Sequence, residues 1–289
     1  MLDNYGPFVV SLTPVFLAGL ADDLGYHVPP WMRLLAAALS SAVAAALLQI
    51  WIIRVDIPYV DMLVACAPVG IVLTLFATSG VCHAFNLIDG INGLSAGTGV
   101  MIALGIASIA HAAGDPNAVQ LSILMVAAIA GFLIFNFPLG KLFLGDAGAY
   151  SLGHVLAWFA ILIVYRLESV STWAMLLVFF WPVADTLFAI YRRKIAGRDF
   201  DQPDRLHYHQ FVMRGLEIEW LGRGRREIAN PLATLVMMPL IACPIIAGVL
   251  LWSEPLMAFL SLLVFAFFFV ATYYIGIRLI LLRNSSLAK

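Results

Sequence analysis

The stretch IVLTLFATSGVCHAFNLIDGINGL, Ile71–Leu94, decides how this chain is read. Its first part is apolar enough to sit in lipid. Its last ten residues, FNLIDGINGL, carry Asn86, Asp89 and Asn92 at spacings of three. A carboxylate and two amides beside a bilayer are costly unless something binds them. The segment therefore poses two questions, how many such apolar runs there are and what the polar residues at their ends hold.

Working outward, the chain of 289 residues is 63% hydrophobic and only 11% charged, with a mean hydropathy of +0.97. Soluble domains carry about 25% charge. Nine apolar segments approach the roughly 17–25 residues that a span requires. They lie near 5–21, 34–53, 60–84, 97–113, 118–137, 149–165, 172–192, 231–251 and 255–280. The expected fold is all-α, a polytopic integral membrane protein with about nine transmembrane helices forming a single membrane domain over 1–289. Strict alternation places 22–33, 85–96, 138–148, 193–230 and the C-terminal tail on one side. Of the sixteen Lys and Arg residues only Arg54 and Arg166 fall on the other side, so fourteen share the first. The positive-inside rule makes that side cytoplasmic. The loop at 193–230 is too short for a separate domain. Cys66, Cys82 and Cys243 show no paired or metal-ligand spacing and read as apolar packers.

The unusual polar stretches all fall on the cytoplasmic side. GLADDLG supplies Asp22 and Asp23, and FNLIDGINGL follows the third apolar run. GKLFLGDAGAYSLG supplies Lys141 and Asp146, PVADTLFAIYRRK supplies Asp185, and PDRLHYHQ supplies Asp204, Arg205, His207 and His209. Taken singly, each has a structural reading. Asp22 and Asp23 could end a helix in water, Asp146 could cap the next helix, and Asp185 could pair with Arg192 two turns on. The histidines could be ordinary loop residues. The functional reading rests on all five occurring together on one face. Acid and amide oxygens suit a hard cation, Mg²⁺ with Mn²⁺ as an alternative, over Zn²⁺. Such an ion at one or two carboxylates commonly serves a phosphate substrate, whose oxygens Lys141, Arg205 and the histidines could neutralise. Phosphoryl or phosphoglycosyl transfer at the inner interface is the economical inference.

These motifs, GLADDLG, FNLIDGINGL, FLGDAGAYSLG, PVADT…RR and DRLHYHQ in this order, resemble the polyprenyl-phosphate N-acetylhexosamine-1-phosphate transferases, over roughly residues 8 to 210. The resemblance implies transfer of a sugar-1-phosphate from a UDP-HexNAc donor, UDP-GlcNAc above all, to undecaprenyl phosphate with release of UMP. That would be the first membrane step of a cell-envelope glycan such as a lipopolysaccharide O-antigen or cell-wall polymer. It implies a bacterial inner-membrane location, a cytoplasmic active site, contact with membrane lipid, and no nucleic-acid partner. It leaves the oligomeric state open, a homodimer included. By motif, Asp22 and Asp23 match the paired catalytic acids, one of which deprotonates the lipid phosphate or helps hold Mg²⁺. Asp146 matches the principal metal-binding acid, and Asn86 an asparagine that shares the metal or the diphosphate. Asp89 and Asn92 match positions lining the nucleoside pocket, Phe143 an aromatic that stacks on uracil, and His207 and His209 the diphosphate-contacting loop. Direct attack by the lipid phosphate and a two-step route through an aspartyl-phosphate both remain open.

Four departures accompany the likeness. Gln210 stands where many relatives have a further histidine, Ala149 where serine is common, and Asn92 where many bacterial members have an acid. The family ordinarily has about two more spans before the paired acids, so the chain is expected to lack them and to leave part of the substrate groove open. Three rivals compete. In a transporter the acids would couple ions, in an intramembrane aspartyl protease two of them would form a dyad, and an inactive family remnant would keep only the scaffold.

Overall fold

In the computed structural model, residues 5–197, 206–222 and 224–287 are described. Every element among them is helical. That outcome follows from the composition, because in lipid each backbone N–H and C=O must be satisfied inside its own segment. The chain runs α1 (Tyr5–Ser11), α2 (Thr13–Asp23), α3 (Pro30–Leu48), α4 (Val60–Val64), α5 (Ala67–Ile88), α6 (Leu94–Ala112), α7 (Pro116–Asn136) and α8 (Gly145–Arg166). It continues through α9 (Thr172–Val178), α10 (Phe180–Ile195), α11 (Tyr208–Leu216) with a π-helical turn at Glu217–Leu221, α12 (Arg226–Leu250) and α13 (Pro255–Leu287). The local signals are conventional. Proline opens α3 and α7, where its missing N–H is not needed. Asp115 caps α7 by accepting from Asn117 N and Ala118 N at 3.1 and 3.0 Å.

Seven of these helices are long and apolar enough to cross a membrane. The pair α9 and α10, which meet at Phe179 with an 80° bend, brings the number to eight when counted as one broken span. Pro182 explains the break. It has no N–H to give the carbonyl four residues back, Val178, and its ring crowds that carbonyl. The apolar run expected at 5–21 is carried by α1 and α2, interrupted at Leu12 and each too short to span alone. The run expected to begin at residue 60 begins at Ala67, because Val60–Val64 forms the separate short helix α4. As a result α5 extends to Ile88 and Asn86 lies in its last turn rather than in a loop.

The centre of the bundle is formed by α6 and α8, each with 67% of its apolar window buried, while α7 and α13 at 17% face outward. Close approach depends on small residues, as is usual between helices in lipid. A Cβ on Gly153 of α8 would lie 2.7 Å from the Cα of Cys82 on α5. A Cβ on Gly19 of α2 would meet the backbone N of Ala147 at 2.5 Å. Hydroxyls are spent on backbone in neighbouring contacts. Ser40 accepts from Val15 N at 2.9 Å, and Thr74 from Ile52 N at 2.8 Å. At the end of the bundle away from the polar motifs, Arg54 pairs with Asp56 and donates to the carbonyls of Val170 and Leu167 at 2.6 and 3.2 Å, tying the 49–59 segment to the connection between α8 and α9.

Two glycines give opposite expectations. Gly153→Val inserts bulk between two backbones, and about 1–3 kcal/mol of stability should be lost. Gly131→Ala, in α7 with nothing within 4 Å of its added Cβ, should gain roughly 0.5–1 kcal/mol. Thermal unfolding midpoints of the two variants in one detergent will show whether they move apart.

Candidate functional site

Four helix ends converge on one end of the bundle. α2 finishes at Asp23, and a turn through Gly25 at φ +90° leads into α3. Val28 N donates to Asp22 Oδ1 at 2.8 Å within that turn. One turn into α3, Arg33 reaches back. Its Nη1 lies 3.4 Å from Asp22 Oδ2 and makes an ion pair with Asp146 Oδ2. The last turn of α5 supplies Asn86, whose Nδ2 donates to Asp146 Oδ1 at 2.7 Å. Asp146, in the first turn of α8, is thus held on both oxygens. Arg33 and Asp146 are each about a fifth exposed, at 19%, so their attraction is only partly screened by solvent.

Asp23, the other member of the acid pair, has a different position. Its Oδ1 accepts from Asp146 N at 2.8 Å and its Oδ2 from Ala147 N at 3.0 Å. It therefore caps α8 from outside that helix. The cap that the sequence suggested for Asp146 is made for it by Asp23. Gly145, at φ +64°, is needed here, since a Cβ would lie 2.6 Å from the Asp23 carboxylate. One turn below the polar pair, Tyr150 of α8 meets His83 of α5. The hydroxyl lies 3.2 Å from Nδ1, and the rings stand edge to face at 4.9 Å.

Asp89 follows α5 directly. Its carboxyl is pushed up to about 7, first by burial and then by the negative charges of Asp146 and Asp23. Three carboxylates in one region of negative potential are what a cation would relieve. The loop beyond is braced rather than open. Asn92 Nδ2 donates to Pro138 O at 2.9 Å, and Asn92 N donates to Asn230 Oδ1 at 2.7 Å. Thr234 Oγ1 donates to Asn92 O at 2.7 Å. Asn136 accepts from Gly93 N at 2.6 Å and donates to Leu142 O at 2.7 Å. Lys141 and Phe143, in the connection between α7 and α8, are exposed, Phe143 by 69%.

The histidine segment packs onto this loop. His209 is buried, and its Nε2 would lie 2.5 Å from a Cβ on Gly90, so only glycine fits there. Burial, reinforced by His207 and opposed by Asp185, pushes the His209 imidazole down to about 4, so it is neutral at pH 7. The Asp185 carboxylate is turned to His207 Nδ1, at 2.8 Å, and to Tyr208 N rather than along α10 to Arg192. Arg192 instead donates to Leu206 O at 2.6 Å and to the Tyr273 hydroxyl. Asp204 and Arg205 lie outside the described residues.

Asp22, Asn86 and Asp146 are therefore together, with Asp23 and Asp89 beside them and His209 against the same loop. Arg33, Tyr150, His83, Asn136, Asn230 and Thr234 were missed by sequence reasoning. Among the described residues no three His, Cys, Asp or Glu side chains stand at metal-ligand spacing. The donor chemistry nevertheless suits a hard cation, because carboxylate oxygens are the ligands such an ion takes and those of Asp22 and Asp146 already converge on one positive charge, that of Arg33 Nη1.

Two measurements follow from this geometry. Arg33→Met leaves Asp22 and Asp146 without their shared counter-charge, and Mn²⁺ titrated under electron paramagnetic resonance should bind about tenfold tighter or more, on the order of 1.4 kcal/mol. The second concerns Asp89. The folded protein holds the Asp89 proton more tightly than the unfolded chain does. That contribution to stability is complete below about pH 4 and is lost as pH rises through about 7. In chelator, the thermal midpoint of the wild type should fall from pH 5 to 8, and that of Asp89→Asn should fall less.

The family model described as glycosyl transferase family 4 matches residues 6–164. The protein named "Probable undecaprenyl-phosphate N-acetylglucosaminyl 1-phosphate transferase" of Bacillus subtilis (strain 168) is 35% identical over 144 residues, 49% of this chain and 40% of that protein. The decaprenyl-phosphate N-acetylglucosaminephosphotransferase of Mycobacterium tuberculosis (strain ATCC 25618 / H37Rv) is 33% identical over 172 residues, 50% of this chain and 41% of that protein. The undecaprenyl-phosphate alpha-N-acetylglucosaminyl 1-phosphate transferase of Escherichia coli (strain K12) is 32% identical over 152 residues, 51% and 41% respectively. The chain thus spans about two fifths of the length of the curated relatives it matches. With the matched region carrying Asp22, Asn86 and Asp146 on three helices that meet at one face, the chain belongs to glycosyl transferase family 4.

Proposed function

We propose that this protein transfers a HexNAc-1-phosphate, GlcNAc-1-phosphate first among them, from a UDP-sugar to undecaprenyl phosphate at the cytoplasmic face of a bacterial inner membrane. The observation that carries the proposal is the meeting of Asp22, Asn86 and Asp146 around Arg33, at the end of an apolar bundle. A lipid phosphate and a soluble nucleotide can reach one another only at such an interface. Membership of the family and the printed names of the relatives support the same reading. The concentration of Lys and Arg on the site's side supports the cytoplasmic orientation.

In the reaction, an oxygen of the lipid phosphate forms a bond to the β-phosphorus of the donor. The bond from that phosphorus to the oxygen bridging the α-phosphorus breaks, and UMP leaves with that oxygen. A Mg²⁺ ion held by Asp146 and Asn86, with Asp22 as a further oxygen, would neutralise the charge developing on the diphosphate. The chain's own residues supply the rest. By motif, Asp22 either takes the proton of the incoming lipid phosphate or serves as an oxygen for the ion. Asp23 acts on the site by fixing the start of α8 and hence Asp146. Arg33 is released from its carboxylates to meet phosphate oxygens, to which it can present two parallel N–H groups. Asp89 and the braced Asn92 loop line the nucleoside side, with Phe143 exposed to stack on uracil. By motif, Lys141, His207 and His209 belong to the diphosphate side, the exposed Lys141 to meet its oxygens and the two buried histidines to shape the loop behind it. A transporter would place its acids near the bilayer midplane, whereas these gather at one end of the helices.

Purified protein supplied with UDP-GlcNAc, undecaprenyl phosphate and Mg²⁺ should release UMP, and a panel of UDP-sugars will rank the donors. Asp146→Asn and Asn86→Ala should each lower kcat by about 10²–10³, the range for removing one preorganised electrostatic group. Full turnover in Asp146→Asn would rule the mechanism out.

A further inference from the structure

Asp185 lies on α10, the half of the broken segment that leads toward the site, and it is 3% exposed. A carboxylate buried to that extent needs partners for both oxygens. It finds them on a different element. His207 Nδ1 lies 2.8 Å from Oδ2, and Tyr208 N donates to Oδ1 at 3.1 Å. His207, also 3% exposed, is the N-cap residue immediately before α11. With Nδ1 bound to the carboxylate, the proton belongs on that nitrogen and Nε2 is left on the opposite edge of the ring. The His207 and His209 rings stack at 5.8 Å and 15°, and His209 presses on Gly90. A continuous line of contact therefore runs from α10, through two imidazoles, to the loop that follows Asp89.

We propose that Asp185 is a positioning residue for the histidine segment. It fixes the orientation and tautomer of His207, and through Tyr208 N the start of α11, so that His209 is seated in one geometry against the loop that bears Asp89. The inference rests on the transferase reading and deepens it, because it makes a helix remote from the reacting atoms responsible for donor alignment. A merely structural Asp185 would contribute to folding independently of His207. A positioning Asp185 acts only through it.

A double-mutant cycle separates the two. UMP release is measured for the wild type, Asp185→Asn, Asp185→Glu, His207→Ala and the Asp185→Asn/His207→Ala double variant, each checked for an intact thermal transition. Asp185→Asn keeps an acceptor for Tyr208 N but removes the charge. It should lower kcat/KM on the order of 10- to 100-fold, the range for a carboxylate that orients a functional histidine. Asp185→Glu should recover part of that. In the His207→Ala background, Asp185→Asn should cost less than about twofold more, within the scatter of such cycles. Should Asp185→Asn fail to fold, the smaller loss in Asp185→Glu is expected to vanish in the same background. An equal further loss without His207, or a wild-type kcat/KM in Asp185→Asn, overturns the inference and leaves the transferase reading standing. A wild type that releases no UMP overturns both.

Discussion

The site depends on one carboxylate being held in place. Asp146 has Asn86 on one oxygen and Arg33 on the other, and Asp22 shares the same guanidinium. Each contributor arrives on a different helix, so the cluster exists only when α2, α3, α5 and α8 are docked together. Two like charges at the edge of an apolar bundle repel strongly where the effective dielectric is low. Arg33 offsets that repulsion and holds the two acids in one arrangement. The backbone N–H groups at the start of α8 carry a partial positive charge, and Asp23 satisfies two of them, which fixes the direction in which Asp146 leaves the helix.

Around this centre, polar residues on the later helices stabilise the loops instead of lining open space. Asn136, Asn230 and Thr234 hold the backbone of residues 92–93 and 142 in place. Irregular backbone at the edge of a bundle is tolerated where side chains replace the lost intrahelical bonds. The loop that bears Asp89 and Asn92 is consequently anchored to α12, beyond the stretch matched by the family model. The C-terminal helices thus help position the site as well as adding to the membrane domain.

Much of this was legible in the sequence, and the limits have physical causes. Composition fixes an all-α membrane protein, since no other regular structure but a closed barrel survives in lipid. The order of GLADDLG, FNLIDGINGL and FLGDAGAYSLG placed Asp22, Asn86 and Asp146 on one side, and they do meet. Arg33 was not legible as part of the site, because a cation beside a span reads as an interfacial anchor. Helical spacing offers Arg192 as a partner for Asp185 because it is visible in a sequence, whereas His207, 22 residues away across a connection, is not. Asn136 and Asn230 are single amides at the edges of apolar runs, and nothing in their neighbours marks them. The breaks at Leu12 and Phe179 were hidden too, since hydropathy averages over a window and does not register a change of direction.

The contact between Gly153 and Cys82 has a further meaning. It places α5 and α8 backbone to backbone within two turns of Asn86 and Asp146, with the Tyr150–His83 pair in between. Two rods pressed together that closely cannot slide or roll on each other without a steric clash. The spacing of the amide and the acid is therefore set by main chain and not by the side chains themselves. The separation of those two positions therefore outlasts a change of side chain at either one, as bolts can be swapped on an unchanging baseplate.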